Sequence, residues 1–179
     1  MQQKQRAVFF DRDGTVIAAY DARQTLGKIR APFRFDELVF DAQAQDALTA
    51  LEALGYARIL TTNQPDVAHG YLTQAEWEKI HRAVVETLRF DDVFICLHRS
   101  QDACPCKKPK PGMFVAAAEK WSIDLAASYM IGDTKNDMLA GKAAGCTTIL
   151  LERSYNAGTI ADIIVPDLAR AIEIIIHRS

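Results

Sequence analysis

The sequence predicts an α/β protein: a Rossmann-like, three-layer α/β/α fold around a central parallel sheet. Three observations predict it. Short apolar runs alternate with helical patterns from one end of the 179-residue chain to the other. The runs are apolar at successive positions, as strands covered on both faces must be. Several of them stop abruptly on a polar residue, the pattern of strands whose carboxyl ends open onto a ligand site. No repeat, low-complexity tract or Ser/Gly linker interrupts this order, so residues 1–179 are expected to form a single domain.

Each element follows from its own signals. "AVFF" reads as a buried strand that ends at Asp11. Residues 16–40 show little periodicity and are long for a plain connection, which predicts a functional flap. Asp41 can cap a helix whose apolar side is Ala44, Ala47, Leu48, Leu51 and Leu54, closed by Gly55. "YARILTT" is the next strand. Thr73–Glu76 spells a capping box, after which Trp77, Ile80, Val84 and Leu88 share one helical face. "DDVFICLH" is a third strand running into a Cys-rich loop, and Gly112 opens a helix carrying Met113, Phe114, Ala117 and Trp121. "SYMIGD" is a fourth strand and Met138–Ala144 a short helix ended by Gly145. "TTILL", "DIIV" and the helix "DLARAIEIIIHR" complete the chain.

Composition excludes several classes of function. A formal net charge of −2 with 25% charged residues leaves no basic footprint for nucleic acid or an anionic membrane. No segment reaches the roughly 20 apolar residues that span a bilayer. The amino end has no apolar stretch of signal-peptide length, because Asp11 cuts it short. A cytoplasmic monomer acting on a small molecule is therefore expected. In that compartment the four cysteines are expected to be buried, metal-bound or catalytic rather than disulfide-bonded.

The polar strand ends carry the chemistry. Asp11 and Asp13 follow the first strand, Thr62 and Asn63 the second, and Asp133 the fourth. A parallel sheet gathers them at one edge, and "KKPKPG" brings Lys108 to the same rim. Three carboxylates beside a phosphate dianion would leave a large uncompensated negative charge in a cleft. A divalent cation and Lys108 would offset it, and hard oxygen ligands with a substrate phosphate suit Mg²⁺. In this reading Asp11 is the nucleophile that forms an aspartyl phosphate. Asp13 protonates the leaving alcohol and then activates water. Thr62 and Lys108 hold phosphate oxygens, with Asn63 and Lys107 as further substrate contacts. Asp133 binds the metal, and Asp137 supports it from behind.

A second constellation lies just before Lys108. Cys96, His98, Cys104 and Cys106, in a loop over 96–106, supply three thiolates and one imidazole, a closed tetrahedral set for structural Zn²⁺. A redox pair is the alternative, although a Cys-x-Cys disulfide would be strained. Buried inert thiols are the other. Cys146 stands apart, before a strand, and reads as a small core residue.

"DRDGT", "TTN", "KKPKPG" and "GDTKND" resemble, in order, the four motifs of the haloacid dehalogenase (HAD) superfamily of phosphohydrolases. The resemblance spans nearly the whole chain. It implies a HAD-like fold without a large cap domain, the residue roles given above, and a backbone carbonyl from Asp13 to Mg²⁺. The Cys/His insertion is similar to two zinc-bearing capless groups, the heptose-bisphosphate phosphatases and the histidinol-phosphate phosphatase domains. "KPKPGM" and "GYLTQAEW" resemble the first group, and the short His98–Cys104 spacing the second. Pro65, Asp66, His69 and Lys107 depart from the heptose pattern. Arg23, Lys28, Arg30 and Arg34 of the flap either meet a second anionic group or form a solvated basic loop. A rim with several cations and few aromatics suits a sugar bisphosphate. Histidinol phosphate, with Asp66 and Asp102 as acidic partners, is the alternative substrate. A non-catalytic zinc module that binds phosphorylated ligands is the alternative of another class.

Overall fold

The computed structural model describes residues 4–179, without the side chains of residues 25, 26 and 28. Its main sheet has six parallel strands: β1 (Ala7–Phe10), β4 (Ala57–Asn63), β5 (Asp92–Cys96), β6 (Tyr129–Gly132), β7 (Thr147–Leu151) and β8 (Ile163–Val165). Their order across the sheet is β5-β4-β1-β6-β7-β8, with every pairing parallel. The strand β1 lies between β4 and β6, with Phe9 opposite both Ile59 and Met130. The chain builds outward from β1 in both directions, so the order reverses at its carboxyl end. That end is where a ligand crevice is expected.

Side-chain alternation divides the core into two halves. Val8, Phe10, Leu60, Ile131, Ile149 and Leu151 face one side. They are covered by α2 (Ala44–Ala53), α3 (Gln74–Leu88) and α6 (Leu168–Arg178), through residues such as Leu48, Leu51, Val84, Ile172 and Ile175. Phe9, Ile59, Met130 and Leu150 face the other side, against Phe114 and Ala117 of α4 (Gly112–Trp121) and Met138 and Ala140 of α5 (Lys135–Ala144). All four residues of β1 are fully buried. Burying each large apolar side chain contributes roughly 1.5–3 kcal/mol, which makes β1 a rigid platform for the residues that follow it.

Three local expectations are revised. The flap is not irregular throughout: β2 (Tyr20–Ala22) and β3 (Lys28–Arg30) form an antiparallel pair around the single turn α1 (Arg23–Leu26). The Thr73 hydroxyl does cap α3 by accepting from the Glu76 N–H at 3.2 Å. The Glu76 carboxylate, however, accepts from the Phe35 N–H at 2.9 Å, so half of the expected capping box anchors the flap to α3 instead. Helix α5 also begins three residues earlier than its apolar pattern suggests, because Thr134 caps it reciprocally with Asp137. No helix among the described residues is long and apolar enough to cross a membrane.

Candidate active site

The carboxyl ends of β1, β4 and β6 open into a cavity of about 400 Å³. Asp11, Asp13, Asn63, Lys108, Asp133 and Asp137 line it, with Ile29, Arg30 and Ala31 of the flap and Asp66 beyond β4. The strand ends therefore converge as their sequence positions predict. Lys108 reaches the base of this cavity and is 2% exposed. Its ammonium donates to Asp11 Oδ1 at 2.7 Å and to the Thr61 carbonyl at 2.8 Å, and it lies 2.5 Å from Asp137 Oδ1. Asn63 clasps the Lys108 backbone at two points, each 3.0 Å long. The Asn63 side chain thus fixes the lysine as well as facing the cavity.

Asp11, Asp133 and Asp137 are all buried, and each offers an oxygen within 4.8 Å of the others. Asp137 therefore stands inside the acidic cluster rather than only behind it. Its other oxygen accepts from the Thr134 N–H at 2.9 Å and from the Thr134 hydroxyl at 2.5 Å. Glycine makes these approaches possible. A Cβ on Gly132 would lie 2.5 Å from the Asp137 Cβ. Gly14 has φ +86°, and a Cβ there would lie 2.1 Å from Asp133 Oδ2.

One ammonium does not balance three carboxylates. Burial, together with the charges of Asp137 and Asp13, pushes the Asp11 carboxyl up to about 7 despite the opposing pull of Lys108. Asp133 is raised for the same reasons, burial first and then Asp11 and Asp137. Burial alone would pull the Lys108 ammonium down, but Asp11 and Asp137 more than reverse this and leave it raised. A buried cluster of hard oxygens with this excess of negative charge fits a small divalent cation.

Asp13 takes a separate position. Its carboxylate accepts from Arg12 Nε at 3.1 and 3.2 Å, from Arg12 Nη2 at 3.0 Å and from Gln64 Nε2 at 2.7 Å. Arg12 itself is 1% exposed. The positive group beside the paired acids is therefore partly the arginine between them in sequence, as well as Lys108. Gln64 also donates to the Thr62 hydroxyl at 2.9 Å, which links the Asp13 carboxylate to Thr62. Thr62 is fully buried behind Gln64 and does not line the cavity.

The Cys/His loop assembles as its spacing predicts. Cys96, Cys104 and Cys106 have their sulfurs 3.1–3.5 Å apart, with His98 Nδ1 at 3.4 Å from Cys106 and 3.6 Å from Cys96. These separations are far too long for a disulfide. They approach the edges of about 3.7 Å in a tetrahedron with bonds of about 2.3 Å. Burial raises the Cys104 thiol, but the N–H groups of Lys107 and Cys106 and the adjacent thiols bring it down to about 7. Cys146 is 4% exposed in the core, as expected.

Lys107 and the flap arginines differ from expectation. The Lys107 ammonium donates to the His98 carbonyl at 2.9 Å and does not line the cavity. Successive lysines thus divide their work, one closing the Cys/His loop and the next entering the site. Arg23 pairs with Asp21 and Arg34 with Asp36. Arg30 pairs with Glu37 at 2.8 Å and lies over the rings of Tyr20 and Phe33. Phe33 stacks on Tyr71, and Tyr71 on His69, so a ladder of rings ties the flap to the segment after β4. Lys28 falls outside the described side chains. Of the four flap cations, Arg30 lines the cavity.

Sequence reasoning missed one wall of the site. The loop after β7 places Tyr155 in the cavity, where its hydroxyl donates to Asp133 Oδ2. The signal was absent because the contact joins a loop without a motif to a strand end 22 residues away.

Comparisons with known proteins agree with this geometry. Residues 105–171 match the model of the HAD-hydrolase-like family. The D-glycero-beta-D-manno-heptose-1,7-bisphosphate 7-phosphatase of Vibrio cholerae is 35% identical over 161 residues, covering 83% of this chain and 81% of that protein. The protein of the same name from Helicobacter pylori is 32% identical over 152 residues, covering 82% and 83%. The crystal structure of D,D-heptose 1,7-bisphosphate phosphatase from B. bronchiseptica, complexed with magnesium and phosphate, superposes with a TM-score of 0.84. It is 27% identical and covers 98% of this chain and 100% of that one. Motif order, strand-end geometry and these relatives lead to one conclusion: the chain belongs to the HAD-like family, among relatives named heptose-bisphosphate phosphatases, and is a phosphatase.

Proposed function

We propose that this phosphatase removes the 7-phosphate of D-glycero-D-manno-heptose 1,7-bisphosphate, with Asp11 as nucleophile and Asp13 as acid and base. The single observation that carries the catalytic half is the buried cluster of Asp11, Lys108, Asp133 and Asp137 at the floor of an open cavity. The names of the relatives, which match over most of the chain, support the substrate.

The chemistry follows from where the groups sit. Lys108 fixes Asp11 Oδ1 and leaves the second carboxylate oxygen for attack on phosphorus. As the Asp11 O–P bond forms, the bond from phosphorus to the sugar oxygen breaks, and Asp13 supplies that oxygen with a proton. Asp13 then takes a proton from water, which attacks the aspartyl phosphate and releases phosphate with Asp11 regenerated. Lys108 stays beside the oxygens on which negative charge accumulates. Asp11 and Asp133, with the backbone carbonyl of Asp13, would hold Mg²⁺, and Asp137 lies within reach of the same position. When bound, magnesium neutralises charge that the carboxylates and phosphate share.

Cys96, His98, Cys104 and Cys106 would hold Zn²⁺ and fix the loop that ends at Lys108. Among the described side chains, Arg30 lines the cavity as a second cation besides Lys108 and would meet a distal phosphate. Residues 1–179 work as one unit in this reading, with 16–40 as the flap and 96–106 as the zinc loop.

The test is a side-by-side measurement of phosphate release. Heptose 1,7-bisphosphate is expected to give the higher kcat/KM when compared with histidinol phosphate. A clear preference for histidinol phosphate would overturn the substrate. No phosphate release from any ester in Mg²⁺ would overturn the mechanism.

A further inference from the structure

The loop between β7 and β8 belongs to none of the four motifs, yet it is fastened to two of them. The Arg153 guanidinium donates to the Gly14 carbonyl through Nε at 3.3 Å and Nη2 at 3.1 Å, and to the Pro166 carbonyl through Nη1 at 3.1 Å. Asn156 is 7% exposed, and its amide donates to the Asp133 carbonyl at 2.7 Å and the Leu151 carbonyl at 2.8 Å. Its side-chain oxygen accepts from the Arg153 N–H at 3.0 Å, which closes the loop on itself. Between these two anchors, the Tyr155 hydroxyl donates to Asp133 Oδ2. The space for that contact exists because residue 14 is glycine: a Cβ there would lie 2.6 Å from the Tyr155 hydroxyl oxygen.

We propose that Tyr155 is a positioning residue that sets the orientation of the Asp133 carboxylate for the cation. This rests on the reading above in which Asp133 holds Mg²⁺. Asp133 shares its pocket with Asp11 and Asp137, and like charges drive a free carboxylate to rotate away from them. A hydroxyl donor on Oδ2 opposes that rotation, while the Asn156 amide fixes the backbone of the same residue. The remaining contact, from the Thr15 hydroxyl to Oδ1 at 3.5 Å, is too long to do this alone. Tyr155 therefore lowers the cost of bringing the carboxylates into one set before a cation arrives. Loss of such an outer partner typically weakens metal binding by about 10–100-fold.

The test is Tyr155→Phe, which removes only the hydroxyl from a ring that is 40% exposed and is therefore compatible with folding. Mg²⁺ affinity is read by calorimetry and by the rise in Tm on Mg²⁺ addition. The expected result is a Mg²⁺ Kd about tenfold weaker, with the Tm in chelator close to wild type. Equal Mg²⁺ affinity in the two proteins would overturn the positioning role and leave the phosphatase mechanism standing. So would a lower Tm in chelator with unchanged Mg²⁺ affinity, since the hydroxyl would then be structural. A wild-type protein that shows no response to Mg²⁺ would overturn both the metal reading and this one.

Discussion

At the scale of single residues, the site is organised by charge that the fold does not balance by itself. Asp11 is held against Lys108 and is still pushed up to about 7 by burial and its acidic neighbours. Its ordinary value is 3.8. The unfolded chain therefore loses this proton first, and between about pH 4 and pH 7 rising pH favours unfolding. Stability in chelator is expected to fall over that window. Mg²⁺ binding should then release protons and stabilise the protein more at pH 8 than at pH 5, which melting curves at both pH values check. Asp11→Asn removes the proposed nucleophile while keeping its shape, so turnover should vanish with the fold intact by circular dichroism. Asp13→Asn should cost about 10²–10⁴-fold in kcat, and more for alkyl phosphates than for nitrophenyl phosphate, whose leaving group needs no proton.

At the scale of elements, two loops do the positioning. The Cys/His loop holds the segment that delivers Lys108, with Lys107 and Lys110 donating to its carbonyls from either side. Elemental analysis should find about one zinc per chain. Cys104→Ser should lower Tm and kcat together, because the loop that carries the lysine loosens with the metal site. The flap is held from beneath by Glu76, whose carboxylate accepts from the Phe35 N–H. Glu76→Ala should cost roughly 0.5–1.5 kcal/mol by denaturant melting. It should also raise KM, since residues 29–31 of the flap line the cavity. A KM unchanged in that variant would show that the flap takes no part in binding.

At the scale of the whole molecule, the sheet turns separate stretches of sequence into one site. Much of this was legible beforehand. Asp11, Asn63 and Asp133 each stand at the end of an apolar run, and a parallel sheet leaves them nowhere else to go. Cys96, His98, Cys104 and Cys106 carry their chemistry in their spacing. What was not legible depends on contacts without a period. The flap strands are three residues long, too short for alternation to register. The Glu76 carboxylate chose a partner 41 residues away over its own helix cap. Arg12 pairs with the residue next to it, and Arg153 reaches Gly14 across 139 residues.

The proposed mechanism makes Asp11 a phosphate acceptor. It is tested most directly by stopping wild-type enzyme with acid during steady-state turnover and reducing it with borohydride. An aspartyl phosphate becomes homoserine under this treatment, and peptide mass spectrometry locates it. Homoserine at position 11, absent without substrate and absent in Asp11→Asn, is the predicted result. An enzyme that turns over rapidly but yields no homoserine in repeated quenches, or yields it at another carboxylate, would rule out Asp11 as the phosphate acceptor.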